Sequence, residues 1–127
     1  MPFVAPGEAY DLPFLDLDRL AREAGPPPWR LCLVGTSGLR ILLLHWPAGF
    51  ATVPHHHPAA EEAFHVLRGR AALTIGDEPE REVGPGAFLL ALRGVEHGIR
   101  VVGGEPLLLM ATVAPNEDRP DETIEAA

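Results

Sequence analysis

Apolar residues in this chain come in short runs, broken at fairly even intervals by glycine and proline. The runs are Trp29–Val34, Leu39–Trp46, Phe50–His57, Glu62–Leu67, Ala71–Ile75, Ala87–Leu92, His97–Val102 and Leu107–Val113. The breaks include Gly35–Gly38, Pro47–Gly49, Gly69, Gly76–Asp77, Gly84–Gly86, Gly94 and Gly103–Gly104. About eight strands at this spacing predict an all-β sandwich or barrel such as a jelly roll. No helix-length segment separates the runs, which argues against a parallel α/β sheet. Helical spacing occurs only near the N-terminus, at Leu17, Leu20, Ala21 and Ala24. Asp16 or Asp18 can cap that helix, Gly25 can end it, and Pro26–Pro28 forbid its continuation. The expected organisation is an arm over residues 1–28, a barrel over 29–114 and an acidic tail over 115–127.

Composition narrows the function. Eighteen acidic residues against ten basic ones leave a net charge of −8, without the basic face a nucleic-acid binder needs. Every basic residue is arginine, which excludes Schiff-base chemistry on a lysine. The lone Cys32 permits neither an internal disulfide nor a multi-cysteine zinc site, and an inert core role is expected for it. The opening residues lack a basic n-region and a long apolar stretch, so no signal peptide is expected. No run is long and apolar enough to span a membrane, and a cytoplasmic location is the expectation.

The histidines carry the chemical signal. Residues two apart on a strand share a face, so His55 and His57 can aim at one point while His56 turns away. Glu62 begins the next run and shares a face with Phe64 and Val66; His97 begins a later one. Glu61 falls on the opposite face with Ala63 and His65. If these strands line one barrel, three imidazoles and one carboxylate converge inside it. Such nitrogen and oxygen donors suit a divalent Mn, Fe, Co, Ni, Cu or Zn ion. Four protein ligands leave positions open on a six-coordinate metal for a small-molecule ligand.

In these residues the chain resembles the cupin superfamily. The first cupin motif, G-x5-H-x-H-x(3,4)-E-x6-G, is matched by Gly49, His55, His57, Glu62 and Gly69. The second, G-x5-P-x-G-x2-H-x3-N, is matched by Gly86, Gly94 and His97, with Leu92 in place of the proline and Val101 in place of the asparagine. The departures spare the family's ligand positions. The resemblance implies a double-stranded β-helix, a metal held by His55, His57, Glu62 and His97, and a small single-domain bacterial protein. It also implies a metal-dependent dioxygenase, isomerase, decarboxylase or lyase acting on a small polar organic molecule. A non-catalytic sensor or ligand-binding cupin is the alternative, and a metal-free sugar-binding or epimerase-like barrel a third.

Other residues have plainer readings. Phe50, Phe64, Val66, Phe88, Ile99 and Met110 are expected to line the barrel, and His45 to be a core histidine. Packing or an interface explains His65 better than ligation. Surface ion pairs are expected for Arg40, Arg93 and Arg100, although each could bind a substrate carboxylate. Leu39–Trp46 and Leu107–Met110 are apolar on both faces. One face fills the barrel; the other must be covered by the arm or by a second chain, and a homodimer is expected.

Overall fold

The computed structural model describes Tyr10–Asp11 and residues 14–116. Two short antiparallel strands open the described chain, β1 (Tyr10–Asp11) and β2 (Phe14–Leu15). No sequence pattern foretold either one. The helical signal becomes α1 (Leu17–Ala24). Asp16 is its N-cap, with the carboxylate accepting the Arg19 N–H at 3.1 Å. Gly25 ends it at φ 83°, and its N–H reaches back to the Ala21 and Arg22 carbonyls. The acidic tail lies outside the described residues beyond Asn116.

Eight strands follow: β3 (Trp29–Thr36), β4 (Leu39–Trp46), β5 (Glu61–Arg68), β6 (Arg70–Ile75), β7 (Arg81–Val83), β8 (Phe88–Ala91), β9 (His97–Val102) and β10 (Leu107–Ala114). They form a five-stranded sheet, β3-β4-β10-β5-β8, and a three-stranded sheet, β7-β6-β9. Their pairings are all antiparallel. The chain passes between the sheets four times, from β5 to β6, β7 to β8, β8 to β9 and β9 to β10, as a double-stranded β-helix requires. Gly69 makes the first of these passages. Its φ is +86°, and a Cβ there would collide with the Pro106 carbonyl oxygen, so no other residue fits.

Two departures from the sequence reading matter. Phe50–His57 is not a strand: only Ala51 and His55 make isolated bridges, to Arg100 and His97. Pro54 within the segment lacks the N–H a ladder needs, and Pro58 follows directly. The second departure is β7, which pairs with β6 through a segment too polar to read as a strand.

The interior is filled by Leu42, Leu44, Phe64, Val66, Leu73, Ile99, Val101 and Leu109, with Phe50 packed beside them. Met110 does not belong to this set. Leu107, Leu109 and Ala111 of β10 point in, so Met110 faces out opposite His65 and Leu43. Phe88 is 67% exposed on the outer face of edge strand β8. In both cases hydrophobicity suggested the interior, and strand register decided otherwise. A second cluster lies outside the barrel, where Leu20 and Ala21 of α1 cover Trp29, Leu31, Leu33, Leu43 and Leu108. The arm therefore buries part of the apolar outer face. His45 is half-buried there, edge-on to Trp29 with ring centroids 5.1 Å apart. Burial, with the Arg68 cation nearby, lowers its pKa.

Candidate metal centre

Three separate segments deliver four donor side chains to one end of the barrel. Glu62 is the second residue of β5, with its neighbours on the same face, Phe64 and Val66, in the core. His97 opens β9, two residues before the core residue Ile99. His55 and His57 come from the irregular segment between β4 and β5. That segment is fastened to β9 by a reciprocal backbone pair: His55 N–H to the His97 carbonyl at 3.0 Å, and His97 N–H to the His55 carbonyl at 2.8 Å. The Gly94 N–H donates to the His57 carbonyl at 2.8 Å. The two turns that carry the histidines thus hold each other, and strand alternation is not what aligns His55 with His57.

One ligand atom from each of His55, His57, Glu62 and His97 lies within 4.8 Å of the others. Glu62 and His97 are buried, His57 is half-buried and His55 is exposed, so the cluster opens to solvent on one side. Glu62 Oε1 is 2.8 Å from His57 Nε2 and 3.0 Å from His97 Nε2. Burial raises the Glu62 pKa, but the hydrogen bonds and charge of the two imidazoles outweigh it and bring the pKa to about 2. His97 Nδ1 is 3.2 Å from the Val95 carbonyl, and His55 Nδ1 is 3.0 Å from the Val53 carbonyl. Each Nδ1 donates to a backbone oxygen, which directs Nε2 into the cluster, the arrangement that orients histidine toward a metal. Three imidazoles and an ionised carboxylate are a borderline donor set, suited to a divalent transition ion. The residues fit such an ion.

The neighbouring residues sort out by face. Glu61 points away and pairs with Arg93, Nε to Oε2 at 2.7 Å, while the Arg93 backbone N–H donates to the same oxygen at 3.3 Å. This pair spans the two turns at the rim. His56 is exposed, and His65 lies half-buried on the outer face of β5. Arg100 pairs with Glu80 at 2.9 Å, a surface ion pair as expected. Arg40 departs from expectation: it is 4% exposed and alternates with Leu42 and Leu44, so it faces the interior. Arg30, 3% exposed, is a second buried arginine, unremarked in the sequence because it lies in an apolar run. Among the described residues, Glu62 is the only buried carboxylate.

A family model described as the cupin domain matches residues 42–113. Dimethylsulfoniopropionate lyase DddQ from Ruegeria pomeroyi is 33% identical over 75 residues, which cover 54% of this chain and 37% of the lyase. This chain therefore corresponds to little more than a third of that relative. The crystal structure of the same lyase aligns with a TM-score of 0.64 at 26% identity, over 71% of this chain and 48% of the lyase. A conserved Klebsiella pneumoniae protein with a double-stranded β-helix domain aligns with a TM-score of 0.71 at 23% identity. That alignment covers 84% of this chain and 93% of the Klebsiella chain.

Proposed function

The chain belongs to the cupin family, and from that premise we propose that it is a metal-dependent enzyme acting on a small polar organic molecule. His55, His57, Glu62 and His97 hold the ion in this reading. The observation that carries it is the meeting of their four ligand atoms, drawn from three separate segments, within 4.8 Å. A bound divalent ion supplies Lewis-acid polarisation of a substrate oxygen. The protein's part is to hold the ion by four side chains and leave one side open to substrate. Among reaction classes a lyase is the first to test, since the curated relative is a lyase. Dioxygenase, isomerase and decarboxylase chemistry fit the same donor set.

A second reading is favoured by one observation. Glu62 is the only buried carboxylate among the described residues, and it is occupied by two imidazoles. Among the described residues no other inward carboxylate is at hand as a general base, which suits a non-catalytic cupin that binds and reports a small molecule. Metal analysis of purified protein comes first. We expect about one divalent ion per chain, lost when His55, His57 and His97 are replaced by alanine; equal metal content in the two proteins refutes the centre. Turnover then separates the readings. The protein is loaded anaerobically with Fe(II) and offered pooled metabolites, with oxygen uptake and product release followed. Silence of a loaded, folded protein favours the sensor.

We also propose a homodimer. The arm covers Leu43 and Leu108, yet Phe88, Leu90 and Leu92 along β8 and the following turn remain 67%, 49% and 55% exposed. Light scattering at micromolar concentration tests it, and a monomer refutes it.

A further inference from the structure

We propose that Glu61 and Arg93 are positioning residues of the metal centre: their pairing fixes the turn that holds two of its histidines. The inference rests on the metal centre proposed above and adds two residues from outside the four-ligand cluster. Strands β5 and β8 pair as far as Glu62 opposite Ala91. Beyond that point β8 gives way to the turn Leu92–Val95, closed by the Val95 N–H on the Leu92 carbonyl at 3.0 Å, with Gly94 at φ 79°. This turn touches two ligands. The Gly94 N–H donates to the His57 carbonyl at 2.8 Å, and His97 Nδ1 lies 3.2 Å from the Val95 carbonyl. The place of the turn therefore sets how His57 and His97 stand against Glu62, whose Oε1 meets the two rings at 2.8 and 3.0 Å.

On the β5 side the turn is held by Glu61, the chain neighbour of Glu62. Its Oε2 accepts the Arg93 Nε–H at 2.7 Å and the Arg93 backbone N–H at 3.3 Å, and its Oε1 accepts Nη2 at 3.3 Å. An ordinary surface ion pair joins two flexible side chains and leaves the backbone free, which is why it contributes little. Here one carboxylate grips the side chain and the main chain of the same residue. It thus extends the hold of β5 on β8 past the last ladder pair, at the point where the chain turns toward His97. The side-chain part is two-pronged, and a planar guanidinium fork on a carboxylate fixes direction as well as distance. Arg70–Glu82 and Arg100–Glu80 provide the contrast: each joins side chains through one hydrogen bond, at 3.1 and 2.9 Å, and ties down no backbone N–H. Glu61 and Arg93 carry opposite charges, so a positioning role can be told from a field effect by sign. A field effect makes loss of the Arg93 cation tighten the binding of a divalent ion; a positioning role makes loss of either partner weaken it.

The test titrates Co(II) into the full chain, following affinity by calorimetry and ligand geometry by the visible spectrum of the bound ion. Arg93→Ala and Glu61→Ala should each weaken Co(II) binding about five- to tenfold, less than the ~10–100-fold loss that follows removal of a group bonded directly to a ligand. Both should alter the Co(II) spectrum. Glu61→Gln keeps an oxygen for the Arg93 N–H groups while discarding the charge, and should stay within about twofold of wild type, far short of the tenfold that 1.4 kcal/mol represents. Tighter binding by Arg93→Ala, wild-type affinity in both alanine variants, or a loss in Glu61→Gln equal to that in Glu61→Ala overturns the inference while the metal centre stands. Failure of wild type to take up Co(II) instead strikes the metal-dependent reading. The metal-free proteins then decide the positioning role by NMR at neutral pH. The ring nitrogen signals of His57 and His97 should move in both alanine variants while those of His45 and His65 stay in place, and unmoved His57 and His97 signals overturn it.

Discussion

The open end of the barrel and its middle are built from the same strands, yet they are chemically opposite. On β5 the inward positions run Glu62, Phe64, Val66; on β4 they run Arg40, Leu42, Leu44; on β9 they run His97, Ile99, Val101. One step of two residues along each strand exchanges a charge or an imidazole for a hydrocarbon. The apolar layers exclude water and fix the backbone. The strand-borne members of the polar layer, Glu62 and His97, inherit that rigidity, and the segment that carries His55 and His57 is tied to them by its bridge to β9. Buried polar groups are costly unless satisfied, and the polar layer is tolerable because Glu62 serves two imidazoles and the histidines find backbone carbonyls.

The largest effect should come from the hydrocarbon layer. Phe64 is 5% exposed and packs in the core, with its ring 5.5 Å from that of His97. Phe64→Ala should cost about 3–5 kcal/mol in urea unfolding. A cost below about 1 kcal/mol would mean that this layer does not support the histidine and glutamate side chains above it.

Next comes acid. The folded pKa of Glu62 is depressed to about 2 from an ordinary value of 4.5. Its contribution is therefore fully present above about pH 4.5 and is lost as pH falls through about 2, at most about 3 kcal/mol. In metal-free protein the melting temperature should fall over that window, and Glu62→Gln should flatten this part of the profile. Metal-loaded protein should also release its ion below about pH 5, because ligating imidazoles must be neutral. Retention of the ion at pH 4.5 would count against His55, His57 and His97 as ligands.

Smaller again is the direct effect on metal affinity. Glu62→Gln should leave the fold intact and weaken metal binding at least tenfold, about 1.4 kcal/mol. Glu61→Gln should leave metal content unchanged, because Glu61 points outward to Arg93. The reverse pattern would show that the register of β5 is displaced by one residue, which no other outcome here would reveal.

Much of this architecture is legible in the order of residues. Alternation and turn chemistry are local, so β4 and β9 begin and end where the apolar runs do, and α1 is bounded by its Asp16 and Gly25 caps. The spacing Gly49, His55, His57, Glu62, Gly69, with Gly94 and His97, marks the four residues that meet, because fixed spacing between turns preserves fixed registers. What local pattern could not decide depends on which strand lies beside which. Met110 and Phe88 are apolar wherever they fall, and only pairing across β10 and β8 turns them outward. The convergence of His55 with His57 rests on bridges to a strand forty residues away. Arg40 reads as a surface charge until its alternation with Leu42 and Leu44 is seen to turn it inward. A residue's face is a local property once its strand is known, whereas its neighbours across the sheet are set only by the tertiary fold.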